Sequence, residues 1–325
     1  MALLMMLISA ACWGSWANTF KVTRGYRFEL FYWDYALGIC LIALVLAFTL
    51  GSVHADGSNF LANLRSADRS NIHYALLAGV IFNIANVLLV AGIDMAGLAV
   101  AFPLSIGIAL AVGVILSYLQ NPKGNPVLLG IAVGCAVMAV IFDGRAYRHL
   151  KAARGAASDT RASGQGIMVC VSSGVLMGLF APLVSHALST GHALTPYSVG
   201  VFFTLGALAC CGVFNVYLMR RPLVGEAVKA GGYFSTAAGN HLLGLLGGCI
   251  WGLGTVFNFV AASLTGVAIS YAIGQSAPMV AALWGVFVWH EFRGAGTAAR
   301  VNLVLMFVFF MAAIALVSLA YSAGG

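Results

Sequence analysis

Residues Gly244–Glu291 read GLLGGCIWGLGTVFNFVAASLTGVAISYAIGQSAPMVAALWGVFVWHE. The stretch divides into two apolar runs, expected to join at a short turn over Ala262–Thr265. Each run is about 20 residues, enough to cross the hydrocarbon core of a bilayer as a helix. Both hold polar residues at mid-depth: Asn258 in the first, and Gln275 with Ser276 ahead of Pro278 in the second. An earlier stretch echoes the first run without a gap: GVIFNIANVLLVAGIDMAG at 79–97 aligns with GCIWGLGTVFNFVAASLTG at 248–266. A second pair aligns in the same way, SAACWGSWANTF from Ser9 and SGVLMGLFAPLV from Ser173. The chain therefore reads as two copies of one helical unit.

Composition agrees. Of 325 residues, 62% are hydrophobic and only 8% charged, where soluble domains carry roughly 25% charged residues. The apolar runs are continuous, without the alternation of barrel strands. Lipid leaves helices or closed barrels as the only spanning structures, so the expectation is an all-α membrane protein. About ten transmembrane helices are expected, near 2–20, 30–51, 72–93, 97–119, 126–142, 166–188, 196–219, 239–261, 266–288 and 301–322. The first lacks the basic start and small-residue cleavage site of a signal peptide and reads as a retained helix. Seven cysteines lie within apolar runs, without CxxC spacing or a histidine partner, so no metal site, disulfide framework or cofactor is indicated.

Lys and Arg set the orientation. Thirteen of the sixteen follow spans one, five, seven and nine, and only Arg65, Arg69 and Lys123 lie on the other side. Positive residues favour the cytoplasm, which places both termini outside. The net charge of +7 is thus a topology signal and not a nucleic-acid surface. Residues 1–143 form the first repeat, 144–165 a basic cytoplasmic linker, and 166–325 the second repeat. Five spans per half make the second copy enter from the opposite side. The result is two inverted five-helix repeats, the architecture in which secondary transporters bind substrate at the midplane.

Asp34, in FYWDY at 31–35, is the carboxylate set inside a span. A charge in hydrocarbon costs about 2.5–3.5 kcal/mol on insertion scales, so it needs a wet cavity, a proton or a basic partner. It is the candidate proton-coupling residue; the structural alternative is an interfacial cap. Asn83 and Asn86 in span three, Asn258 in span eight and Gln275 and Ser276 in span nine offer donors and acceptors to a polar, uncharged solute. Their alternative is interhelical hydrogen bonding. Trp13, Trp16 and Trp251 offer aromatic faces for a flat ring or sugar, or simply packing. Pro103 and Ser105 stand at the counterpart of the span-nine break. Asp143 is expected at a span end, and His186 and His241 at membrane interfaces. No second acid sits beside Asp34 for aspartyl chemistry, and GQSAP is not the GxSxG of a serine hydrolase, so an enzyme is not expected.

At this point the residues resemble the drug/metabolite transporter superfamily: WGSWANTF of span one, the GLG-to-GQSAP region, and ALWGVFVWHEFR closing span nine. Within it the resemblance is to the ureide permease group, with the glucose/ribose and rhamnose porters nearby. Gly14-Ser-Trp16 sits like that group's GTW, Asp34-Tyr35 like its DY, and Asn86 on an Asn of its third span. Gln275 and Pro278 fall on its QxxP, and Trp284-Gly285 with Glu291 on its WG and E. The central loop is shorter than in plant members, and one residue is inserted ahead of Gln275. The resemblance implies the drug/metabolite transporter fold and proton-coupled import of a ureide or nucleobase such as allantoin, uracil or xanthine. Monosaccharide–proton symport and metabolite or drug export on the same scaffold are the alternatives. The expected partners are a small-molecule substrate, protons and the lipid bilayer of the cell (inner) membrane, with a homo-oligomer compatible.

Overall fold

The computed structural model describes residues 1–23, 25–53, 59–96, 98–153, 164–222 and 226–323. Long helices follow one another: α1 Ala2–Val22, α2 Phe28–Phe48, α3 Arg69–Ala96, α4 Leu98–Gln120, α5 Pro126–Ala153, α6 Gly164–Ser189, α7 Pro196–Arg220, α8 Ala238–Thr265, α9 Val267–Val288 and α10 Thr297–Ser322. Among the described residues nine stretches are long and apolar enough to cross a membrane, and the described apolar part of α4, Leu104–Gln120, is shorter. No strand occurs among the described residues. The chain is an all-α membrane protein.

The helices turn apolar residues outward. Leu41, Val45 and Phe48 on α2 and Val304, Val308 and Met311 on α10 are exposed, while Asn83, Asn86 and Asn258 are buried inside. This is the arrangement lipid demands, since polar side chains in hydrocarbon face the bundle interior. Where helices cross, glycines let backbones touch. A Cβ on Gly38 would overlap the Leu245 carbonyl oxygen, and one on Gly248 that of Tyr35, fixing α2 against α8. The same device fixes α7 against α3, with Gly206 on Leu76 and Gly79 on Phe203. A further pair repeats in kind, Gly14 of α1 on Ala277 and Val280 of α9, and Gly178 of α6 on Ala109 and Val112 of α4. Helices α5 and α10 pack together.

Two expected boundaries shift. Helix α8 runs through Thr265 instead of turning at Ala262–Thr265; the turn falls on Gly266, whose φ of 91° suits glycine. Helix α5 runs ten residues past the first repeat's expected end at 143, to Ala153, because the basic residues that end the apolar run are good helix formers. Of the expected linker 144–165, residues 144–153 and 164–165 are helical and residues 154–163 lie outside the described residues. Asp143 is accordingly buried within a helix, not at a span end.

Candidate functional site

Asp34 lies one turn and a half into α2, 2% exposed. Its Oδ1 accepts a hydrogen bond from Tyr233 Oη at 2.6 Å. Its Oδ2 accepts from Tyr26 Oη at 2.9 Å and from His241 Nδ1 at 2.8 Å. His241 stands one turn into α8, Tyr26 on the α1–α2 connection and Tyr233 on the short helix Gly231–Ser235. Helices α2 and α8 meet closely enough for this because Gly244 has no side chain; a Cβ there would overlap Asp34 Cβ. Burial first, and then the hydrogen bond to Asp34, pushes the Tyr233 phenol up to about 12 and the Tyr26 phenol still higher. Both phenols therefore stay protonated at neutral pH and donate to the carboxylate. His241, expected near a span end, stands one turn from the start of α8 and is also a partner of Asp34.

Between α2 and α3, Tyr32 Oη donates to Asn83 Oδ1 at 2.9 Å and accepts from Asn86 Nδ2 at 3.1 Å. The Cys210 thiol of α7 neighbours Asn83, whose Nδ2 has no nitrogen or oxygen partner among the described residues. The adjoining Phe82 ring stacks on Trp251 at 4.5 Å, and Trp251 on Trp13 at 5.9 Å. Trp13 Nε1 donates to Thr255 Oγ1 at 3.0 Å. Trp16 packs on Tyr35 at 4.6 Å, and Tyr35 on Trp251 at 6.3 Å. The buried Tyr35 hydroxyl has no hydrogen-bond partner among the described residues. Of the expected site residues, Trp13, Trp16, Trp251, Asn83 and Asn86 thus share one stack-and-amide cluster across α1, α2, α3 and α8. Tyr32, Tyr35 and Phe82 belong to it and were not anticipated.

Asn258, Gln275 and Ser276 are placed differently. Asn258 Nδ2 donates to the Ser270 carbonyl at 3.0 Å, and Ser270 Oγ returns a bond to the Asn258 carbonyl at 2.8 Å. That amide ties α8 to α9. Ser276 Oγ donates to the Ile273 carbonyl at 2.7 Å, consumed by the break in α9 itself. Gln275 occupies that break, with φ −69° and ψ 0°, and its buried side-chain amide bonds no described residue. Neighbouring Gly274 lies against the Trp13 ring and Asn258 Nδ2, which carries the break to the edge of the aromatic stack. Ser105 Oγ donates to the Cys170 carbonyl at 2.8 Å; the side chain of Pro103 lies outside the described residues. The centre is filled by stacked rings, and a cavity of about 510 Å³ lies elsewhere, where Val286, His290, Phe292, Arg293, Arg300 and Leu303 line the α9–α10 connection.

Helices α1 and α9 are latched at their C-terminal ends. Trp284 Nε1 donates to Ser15 Oγ at 2.8 Å and Trp289 Nε1 to Asn18 Oδ1 at 2.6 Å. Lys21 forms an ion pair with Glu291 and lies over the Trp289 ring at 4.4 Å. Tyr147 of α5 donates to the same Glu291 at 3.3 Å.

A lipid-facing bundle around a buried carboxylate and an amide–aromatic cluster defines an all-α membrane transport protein. The chain belongs to the ureide permease family, whose profile matches residues 31–164 and 147–320. It is 20% identical to Ureide permease 1 of Arabidopsis thaliana, covering 97% of this chain and 95% of that protein. Identity to Ureide permease 4 of the same plant is 22%, covering 96% and 94%. One solved crystal structure shares the fold at a TM-score of 0.64, with 15% identity and 97% of both chains covered.

Proposed function

We propose that the protein imports a small, flat, polar solute, a ureide or nucleobase such as allantoin or uracil, together with protons. The observation that carries this reading is the Tyr32–Asn83–Asn86 cluster beside the Phe82–Trp251 stack. The Tyr32 hydroxyl uses Asn83 Oδ1 and Asn86 Nδ2. What remains is the Asn83 amide donor, which has only the Cys210 thiol beside it, and the Asn86 carbonyl acceptor, a complement to the adjacent N–H and C=O groups of a ureide. The aromatic faces suit a flat ring, and Gln275 adds a further amide from the break in α9. The names of the similar Arabidopsis proteins support the same solute class.

The matched glycine crossings of α2 with α8 and α7 with α3 support two five-helix halves in inverted relation, rocking about a midplane site. Asp34 is the coupling carboxylate in this reading. Transport is driven only if protonation favours one state over the other, and Asp34 holds the α1–α2 connection through Tyr26 only while it accepts hydrogen bonds. Uptake of allantoin, uracil and glucose into proteoliposomes, with and without an inward proton gradient, tests the proposal. Gradient-driven uptake of allantoin or uracil, weakened by Asn83→Leu, supports it. Uptake of glucose alone would move the assignment to monosaccharides, and indifference to the gradient would remove the proton.

A further inference from the structure

We infer that His241 is the residue through which Asp34 exchanges its proton with water. This rests on the reading of Asp34 as the coupling carboxylate. Asp34 is sealed, its side chain 3% exposed, and every contact on its oxygens is a hydrogen-bond donor. Tyr26 and Tyr233 are held protonated by burial and supply no net proton. Among these partner types, histidine is the side chain whose ring can take a proton at one nitrogen and give one up at the other. Its side chain is 25% exposed. With Nδ1 committed to Asp34 Oδ2, Nε2 bonds no described residue and is the nitrogen open to water.

The relay balances as follows. A proton from water binds Nε2, and the Nδ1 proton passes to Asp34 Oδ2. Asp34 is left as a neutral acid and His241 as the neutral Nε2–H tautomer, so the cluster gains one proton and one positive charge. Oδ2 then donates to Nδ1 and stops accepting two bonds at once. Tyr26 is left with a neutral hydroxyl in place of a carboxylate, a weaker acceptor, and the α1–α2 connection loosens. Around the ring the titratable groups are Asp34 from α2, Tyr26 from the α1–α2 connection and Tyr233 from the short helix before α8. Arg27 and Glu29, at the start of α2, pair with each other.

The α3–α7 crossing carries no titratable side chain at the two equivalent positions. The residues at the equivalent positions are Phe202 and Ile72.

The test uses the full chain in proteoliposomes with allantoin as probe, comparing wild type, Asp34→Asn, His241→Gln and His241→Ala. His241→Gln and His241→Ala are expected to slow gradient-driven uptake about tenfold or more, at the lower edge of what a positioned proton-transfer group contributes. Exchange of labelled for unlabelled allantoin at equal pH should stay within about twofold, since no net proton moves. Added imidazole should restore gradient-driven uptake to His241→Ala. Wild-type gradient-driven uptake by His241→Gln, with Asp34→Asn uncoupled, overturns the inference and leaves the Asp34 reading standing. Unimpaired coupling in Asp34→Asn overturns both. Joint loss of exchange and uptake without imidazole rescue makes His241 structural and overturns the inference. Should the wild type take up no allantoin, the substrate assignment fails and infrared spectroscopy after an acid jump still decides. The carboxylic-acid band that Asp34→Asn removes should rise about tenfold more slowly in His241→Gln; an unchanged rate overturns the relay.

Discussion

The crossing of α2 with α8 and the crossing of α7 with α3 are built alike and do different things. In each, a glycine three residues beyond an aromatic residue, Tyr35–Gly38 or Phe203–Gly206, meets a leucine carbonyl, Leu245 or Leu76. In each, a glycine three residues beyond that leucine, Gly248 or Gly79, meets the aromatic residue's carbonyl in return. One turn away they part. The first carries Asp34 hydrogen-bonded to His241 and closed by two phenols; the second has Phe202 and Ile72 in their places. Backbone contact sets the scaffold in both crossings, and Asp34 and His241 add a titratable pair to one of them. In the function proposed above the proton site is needed once, and Asp34 and His241 place it on the end where α2 and α8 begin.

The largest expected effect comes from the shared part. Gly248→Ala and Gly79→Ala each press a methyl group into a backbone carbonyl that cannot rotate away. Overpacking of this kind costs about 1–3 kcal/mol and occasionally more. Thermal unfolding in detergent should show similar drops for the two, because the two contacts are equivalent. A large drop at one and none at the other would break the comparison at its base.

The ungapped echo at 79–97 and 248–266 made the glycines of α3 and α8 legible as a repeat. Their partners Gly38 and Gly206 were not, since an apolar run does not say which helix it will cross. Asp34 stood out because a carboxylate inside a hydrophobic run is rare. His241 did not: it is 207 residues away, near a helix end where histidine is ordinary. Tyr32 escaped for the same reason, read as one aromatic in FYWDY and found bridging Asn83 and Asn86. Asp143 was misplaced because the apolar run stops at residue 142 while the helix does not. Periodicity and composition report on one helix at a time, and a site made by crossings is a property of pairs.

The next effect lies where the crossings differ. Asp34→Leu strips the acceptor from three donors, His241→Ile strips one donor from a buried carboxylate, and the double change approaches the apolar pair of the other crossing. Measured as a cycle of thermal stabilities, the double variant should be more stable than the sum of the singles by about 0.5–3 kcal/mol, the range for residues in direct contact. It should also lose gradient-driven uptake entirely. Strict additivity would mean that the pair is a contact without energetic consequence.

A smaller effect concerns Asn258, whose counterpart in the first half is the buried Leu89. Asn258→Leu writes the residue of α3 into α8 and removes the side-chain bond from α8 to the Ser270 carbonyl of α9. Interhelical hydrogen bonds in membranes average about 0.6 kcal/mol, and Ser270 Oγ keeps its bond to the main-chain carbonyl. Stability should fall slightly and the half-saturating substrate concentration should not change. A marked rise in that concentration would return Asn258 to the binding site.

The smallest effect belongs to the latch between α1 and α9, and it separates the two ends of the molecule. In the matching crossing of α6 with α4, the register of the Gly14 and Gly178 contacts places Ser185 and Lys123 opposite Lys21 and Glu291, and those two cannot form an ion pair. The Lys21–Glu291 pair is open to solvent, its side chains 42% and 26% exposed, so its net worth is about 0–1 kcal/mol and is screened by salt. The tryptophan bonds to Ser15 and Asn18 hold the same two helices. Lys21→Gln should therefore leave thermal stability almost unchanged. In the rocking mechanism proposed above it should change the uptake rate at low salt, because even a fraction of a kcal/mol placed on one end tilts the balance between two states. Raising the salt should bring the wild type to the rate of the variant. If the difference persists at high salt, Lys21 acts through its packing on Trp289 and the ion pair is incidental to closing that end.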